Sequence, residues 1–146
     1  MRHTEDAVKV QCLMLACMNS ELQKQYESTN PHDMIVGLCG MFENQVRVDR
    51  FNTLKSLFGS KLAEGAPVSP HVIKMIGYIE SLKRLGFPLD DDLATDVILQ
   101  SLPASFEPFI MHYHMNGLKK TLAELYGMLK IAEVSLRKAP SHVMIV

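Results

Sequence analysis

The stretch Leu85-Gly-Phe-Pro-Leu-Asp-Asp-Asp-Leu-Ala-Thr-Asp-Val-Ile-Leu-Gln-Ser-Leu-Pro-Ala-Ser-Phe-Glu-Pro-Phe109 decides the fold. Gly86 and Pro88 close one helix, and the carboxylates of Asp90, Asp91 and Asp92 can cap the next, where anions meet free N–H groups and the positive end of the dipole. That helix ends at Leu102, because Pro103 disfavours helical geometry in the residue before it. Ser105 is then placed to cap a further helix. Three helices joined by two tight connections follow from local chemistry alone. In the middle one Leu93, Ala94, Val97, Ile98, Ser101 and Leu102 share a side, with Asp92, Asp96 and Gln100 opposite. Leu99 falls on the polar side. It is either incidental exposure or a contact for something outside the chain.

Working outward, helical periodicity runs from about Asp6 to Tyr26 through Val8, Cys12, Leu15 and Leu22. The run Cys12 to Met18 is apolar on all sides, so it needs cover from more than one direction. Asn30 as cap, Pro31 as first helical residue and Asp33 start a second helix reaching about Phe42, although Gly37 and Gly40 each cost about 1 kcal/mol there relative to Ala. A third helix, about Asn44 to Ala63, carries Phe51, Leu54, Phe58 and Leu62, and Gly65 ends it. After a linker at 65–67, Ser69 and Pro70 open a helix with the core stripe Val72, Met75, Ile76, Ile79 and Leu82. Beyond the opening stretch come a helix from about Phe106 to Met115 and a last one opened by the capping box Thr121 to Glu124. Its stripe is Leu122, Leu125, Leu129, Ala132 and Leu136, and Pro140 stops it. Only His142 to Val146 has a strand-like pattern, at the terminus. The expected fold is all-α with about seven helices.

Composition narrows the function. With 146 residues, 47% hydrophobic, the chain is long enough for one domain or two small lobes. Lys and Arg number 15 against 16 Asp and Glu, a net charge of -1, which offers no long-range attraction to nucleic acid or anionic membranes. The longest uninterrupted apolar run is seven residues, where a membrane span needs about 20. Met1 to Asp6 is acidic and lacks the basic region of a signal peptide. Three cysteines without a secretory signal point to free thiols in a reducing, cytoplasmic setting.

Little in the chain resembles a catalytic or metal centre. Asp90 to Asp92 lacks the alternating ligands, glycine and glutamate of a calcium loop, and reads as a helix cap. His112 and His114, two apart on a helix, point about 200° from each other and read as ordinary histidines. Cys12, Cys17 and Cys39 read as small core residues. Gly37-Leu-Cys-Gly40 places a thiol between glycines, but a nucleophile elbow needs a strand before it. Met34, Met75 and Met128 lie near apolar stripes and read as packing filler. No catalytic residue, metal, cofactor or small-molecule ligand is expected.

One ordered set of residues goes beyond composition: Gly65-Ala-Pro-Val-Ser-Pro-His-Val-Ile-Lys-Met-Ile-Gly-Tyr-Ile-Glu-Ser-Leu82, Leu85-Gly-Phe87 and Leu99-Gln-Ser-Leu-Pro-Ala-Ser-Phe106. It resembles the gag polyprotein, in its capsid region, of plant copia-type LTR retrotransposons. The resemblance extends to Asp33 through Phe42, Arg47 to Phe51, Leu118 through Lys138 and His142 to Val146. It implies a retroviral-capsid type of fold, with 1–64 a truncated N-terminal lobe, 68–138 a C-terminal lobe of four helices, and 139–146 a tail leading toward a nucleocapsid segment. It implies a structural role, self-assembly into a particle shell that packages the element's RNA. RNA contact would be indirect, through a zinc knuckle that is missing from these residues. Gly86, Ser101, Leu102 and Pro103 are the family-signature positions with structural roles. Gly37 and Gly40 stand where a better helix former is expected, in keeping with a decayed copy.

Self-association needs apolar surface left over once each lobe has closed its own core. Leu99 is one candidate. Ile131 and Val134, opposite the last helix's core stripe, are the others; all three can instead pack against the other lobe. A domesticated helical adaptor with an apolar groove for a partner helix is the alternative function. A small cysteine enzyme built on Cys39 is a third reading.

Overall fold

The computed structural model describes residues 2–138. Among them it has α1 (Arg2–Ala16), α2 (Ser20–Tyr26), α3 (Pro31–Gly59), α4 (Val68–Arg84), α5 (Asp91–Gln100), a 3-10 turn (Ala104–Phe106), α6 (Glu107–Met115) and α7 (Leu122–Lys138). The fold is all-α, with seven helices and no strand among the described residues. The tail at 139–146, with Pro140 as a stop and His142 to Val146 as an extended end, lies outside them. Two compact units are present, Met1–Val48 and Asp49–Val146, so the division falls within α3. The segment 65–67 is a turn in which Gly65 has φ +78°, and on its N-terminal side Leu57 and Leu62 share a core cluster with Val68 and Val72.

In the first unit, the expected helix from Asp6 to Tyr26 is two helices. Asn19 breaks it by turning its side chain onto the chain that follows: its Oδ1 accepts the Leu22 N–H at 3.0 Å and caps α2. The Gln23 side-chain amide then donates to the Leu15 carbonyl at 2.8 Å, a second donor beside the Met18 N–H at 3.1 Å on an acceptor at the end of α1. Asn30 caps α3 as expected, its Oδ1 accepting the Asp33 N–H at 2.9 Å.

α3 does not stop near Phe42 but runs for 29 residues. Gly37 has a packing reason rather than being a lapse: a Cβ there would lie 2.6 Å from the Tyr26 hydroxyl, so the missing side chain lets the end of α2 lie on α3. Tyr26 and Met34 are buried by this contact, and the Tyr26 hydroxyl reaches Met41 Sδ at 3.3 Å. Cover for α1 goes no further, and Val8 and Leu13 are exposed. Cys12, Cys17 and Cys39, expected in a core, are exposed free thiols because no second layer of helix lies over them.

In the second unit α4 packs most extensively on α7, and α5 touches both. Val72, Met75, Ile79 and Leu82 of α4 meet Leu125 and Leu129 of α7, with Leu122, Ala132 and Leu136 packed at the margin. These are the expected stripes. The stripe of α3 is rotated from the expected one: Leu54 and Leu57 pack inward while Phe51 and Phe58 are exposed. The rotation brings the Arg50 guanidinium over the Phe87 ring, 4.6 Å from its centroid, which favours this face by a cation–π contact. Leu62 still joins the core, from the loop after Gly59.

A Cβ added at Gly40 meets nothing within 4 Å, so Gly40→Ala should stabilise the first unit by about 1 kcal/mol through helix propensity. Gly37→Ala should cancel that gain by displacing Tyr26. Amide exchange read separately over α2 and α3 checks this: the Gly37 variant alone should speed exchange in α2.

Candidate interaction surface

Ser101 is the centre of one hydrogen-bonded node. α5 ends at Gln100, and the Ser101 hydroxyl turns back to donate to the Ile98 carbonyl at 2.6 Å. His71 Nε2 on α4 lies 2.8 Å from the same Oγ. Since the hydroxyl proton is committed to Ile98, Nε2 carries the imidazole proton and donates it. The Ser101 carbonyl accepts the Leu62 N–H at 2.9 Å, tying the loop after α3 to the same residue. Ser101 and His71 are both buried, and none of the described residues leaves a buried side-chain donor or acceptor without a partner. Leu102 is half-buried against the core, and Pro103 opens the 3-10 turn.

Gly86 ends α4 at φ +92°, with its own N–H on the Lys83 carbonyl and the Phe87 N–H on the Leu82 carbonyl. This Schellman pair satisfies two orphan acceptors and needs a residue without Cβ strain. Gly117 repeats the arrangement after α6 at φ +56°.

Several expected caps are replaced by groups from elsewhere in the fold. Ser69 lies inside α4, which begins one residue earlier, and its hydroxyl pairs with the Tyr126 hydroxyl at 2.9 Å. The cap of α4 comes instead from α7: the Glu133 carboxylate accepts the Val68 N–H. A carboxylate held at a helix N-terminus is also favoured by the dipole. Ser105 likewise does not cap; its N–H donates to Glu64 Oε1 at 3.0 Å. Asp90 occupies the cap position of α5 without a side-chain cap bond, and Asp92 pairs with Lys119 at 3.3 Å between two exposed side chains. The acids of this first turn therefore favour the helix start through the dipole rather than through a side-chain cap bond from Asp90. The expected capping box closes α7, with Thr121 Oγ1 accepting the Glu124 N–H at 3.2 Å and Glu124 Oε2 accepting the Thr121 N–H at 3.1 Å.

The candidate surface residues separate. Leu99 is 2% exposed and is part of the core, which corrects its placement on a polar face. α5 lies against α4 and α7 and under the loop held by Ser101, so roughly 200° of its circumference is covered. Thr95 and Leu99 are sealed by the added cover, while Leu93, expected inside, is half exposed. Leu99 is thus unavailable to a partner. Ile131 and Val134 are 70% and 50% exposed, on the side of α7 away from Leu125 and Leu129. Gly127, one turn earlier, has no side chain within 4 Å of where its Cβ would stand, so that side is open as well.

His112 and His114 are exposed on α6; His112 Nδ1 meets the Asn116 side-chain amide at 3.0 Å, and His114 stands edge-on to Tyr113. Among the described residues no three His, Cys, Asp or Glu side chains gather where a metal could be held. Shallow clefts occur beside Asp92, Asp96, His114 and Lys119, beside Asp90, Asp91 and Lys120, and beside Glu64, Glu133 and Arg137. The last of these is lined also by Ala66, Pro103, Phe106 and Leu136, so charged and apolar side chains share it. No helix of the described residues is long and apolar enough to cross a membrane.

Burial lowers the His71 pKa from its ordinary 6.5, with the Lys74 ammonium a smaller cause in the same direction. Between 6.5 and the lower folded value the unfolded chain binds the extra proton, so folding stability is full above this window and falls on acidification through it. Denaturant unfolding from pH 7.5 to 5 should show that fall, and His71→Gln should flatten it. Ser101→Ala should cost about 1–3 kcal/mol at pH 7.5 by leaving the buried Nε2–H unpaired.

No curated protein and no solved structure matches the chain. The family of gag polypeptides of LTR copia-type elements matches over residues 2–142, and the chain belongs to that family.

Proposed function

We propose that this chain is a capsid-type structural segment of a copia-type gag protein that associates with copies of itself into a shell enclosing the element's RNA. The observation that carries the reading is the family match across residues 2–142. Gag polypeptides of this family are structural rather than catalytic. In this reading the protein works in the cytoplasm, without cofactor, membrane or small-molecule partner. Its link to RNA runs through a nucleocapsid segment, since a net charge of -1 gives these residues no electrostatic hold on phosphates.

The surface we assign to association is the outward side of α7 around Ile131 and Val134. Two apolar side chains are a small contact beside the roughly 800 Å² per partner of a stable complex. One such contact is weak. Repeated around a closed shell it becomes strong, because each subunit already held raises the effective concentration for the next contact. Shells that must form and later open are well served by many weak joints.

An adaptor that seats a partner helix calls for a long apolar groove, and the clefts beside α5, α6 and α7 mix charged and apolar side chains. The homotypic reading is preferred because it follows from the family match. Ile131→Glu with Val134→Glu should abolish concentration-dependent light scattering and leave the helical circular dichroism unchanged. Particles that persist in this double variant would remove the α7 face from the account; a protein of one-chain mass at every concentration would remove self-assembly.

A further inference from the structure

We propose that α7 pairs with α7 of a second copy as an antiparallel twofold seam centred on Ile131. The inference rests on the reading of the α7 face as a self-association surface and adds the partner segment, its direction and its register. Glu124, Gly127, Ile131, Val134 and Lys138 follow one another at steps of three and four, the period that keeps a seam facing a partner helix. All five stand on one helix, inside the second unit. At 100° per residue their mean direction is roughly 160° from that of Leu122, Leu125, Leu129, Ala132 and Leu136, the stripe that α7 turns to the core. Glu124, Ile131, Val134 and Lys138 are exposed, and Gly127 is half-buried.

Gly127 supplies the shape. A glycine in the middle of a helix weakens it relative to alanine, and a Cβ there meets nothing within 4 Å, so the protein's own fold makes no use of the gap. Gly37 is the contrast, since Tyr26 fills the space its missing side chain leaves. A helix laid antiparallel over Ile131 brings the partner's Val134 opposite Gly127, and the branched side chain enters the open space. Ile131 meets the partner's Ile131 at the centre. The Gly127 contact then occurs twice, once on each side of the axis, as an isologous interface requires.

The ends of the stripe fix the direction. Glu124 stands seven residues before Ile131 and Lys138 seven after it, about 10 Å to either side along the helix. Antiparallel pairing sets each Glu124 beside the partner's Lys138, giving two opposite-charge pairs. A parallel pair in register would set Glu124 against the partner's Glu124 and Lys138 against the partner's Lys138. Both groups are open to such a pair: one oxygen of Glu124 accepts the Thr121 N–H and leaves the other, and Lys138 makes no ion pair among the described residues.

Sedimentation equilibrium on the full chain tests the seam, and a monomer–dimer equilibrium is expected. Gly127→Gln puts a good helix former in place of a poor one. It should raise the thermal midpoint at low concentration yet weaken the dimer about tenfold or more by filling the space for the partner's Val134, so a folding defect is not the cause. Lys138→Glu should weaken the dimer in a salt-sensitive way, and adding Glu124→Lys should restore it even though that change gives up the capping box of α7. With Cys12, Cys17 and Cys39 changed to Ser, Gly127→Cys with Val134→Cys should oxidise to a covalent dimer. Gly127→Cys alone should not, its two copies standing about 12 Å apart along the pair. A dimer indifferent to Gly127→Gln, or efficient crosslinking by Gly127→Cys alone, would overturn the antiparallel register. Particles that form in Gly127→Gln but not in Ile131→Glu with Val134→Glu would remove the twofold seam and leave the shell reading intact. A dimer of this register that never grows into particles would remove the shell reading and leave the seam standing.

Discussion

One residue holds together three segments distant in sequence. Ser101 closes α5 on the Ile98 carbonyl, accepts the His71 proton from α4, and through its own carbonyl holds the loop that carries Leu62. Each bond alone is modest, on the order of 1 kcal/mol net. Their joint effect is larger because the groups are buried: a polar network out of water is favourable when complete and costly when one member is missing. The backbone bond to Leu62 lies over the end of α5, the helix in which Leu99 is sealed. A residue that the motif Ser101-Leu102-Pro103 makes look like a simple stop is thus the joint on which the second unit closes.

What the chain declares about itself depends on range. Caps and stops act over three or four residues, so Asn30 with Asp33, Thr121 with Glu124, and the glycine at 86 can be read directly, and the structure has them. Asn19 belongs to the same class and carried a signal, an Asn followed by Ser20 and Glu21, that the unbroken apolar period around it masked. Caps delivered from a distance are of another kind. Nothing near Val68 announces that Glu133 of the last helix will accept its N–H.

Leu99 shows the second limit. Periodicity gives the angle of a side chain about its own helix but not how many neighbours surround that helix. α5 has cover on two sides, so the wheel that correctly put Ala94, Val97 and Ile98 inside put Leu99 outside. Ile131 and Val134 were legible because α7 has cover on one side only, the condition under which a wheel is sufficient. Gly37 is intermediate. Its cost to the helix is plain from propensity, but its use becomes visible only with Tyr26 in place against it.

The two units spend their apolar residues differently, and this bears on how the protein works. In the second, α4, α5 and α7 turn most of theirs into a continuous core around Met75, Ile98, Leu125 and Leu129. In the first, Tyr26 and Met34 are the buried apolar side chains, while Ile35, Val36 and Phe42 are exposed along with the three thiols. Apolar surface left in water gives up stabilisation of roughly 25 cal/mol for each Å² that folding could have covered. A monomer built for its own stability would not leave so much uncovered on one helix. The cost is recovered when surfaces of this kind meet in an assembly, and an assembling protein needs the free subunit to stay less stable than the assembled one. Ile131 and Val134 on the open side of α7 are apolar side chains left in water in the same way.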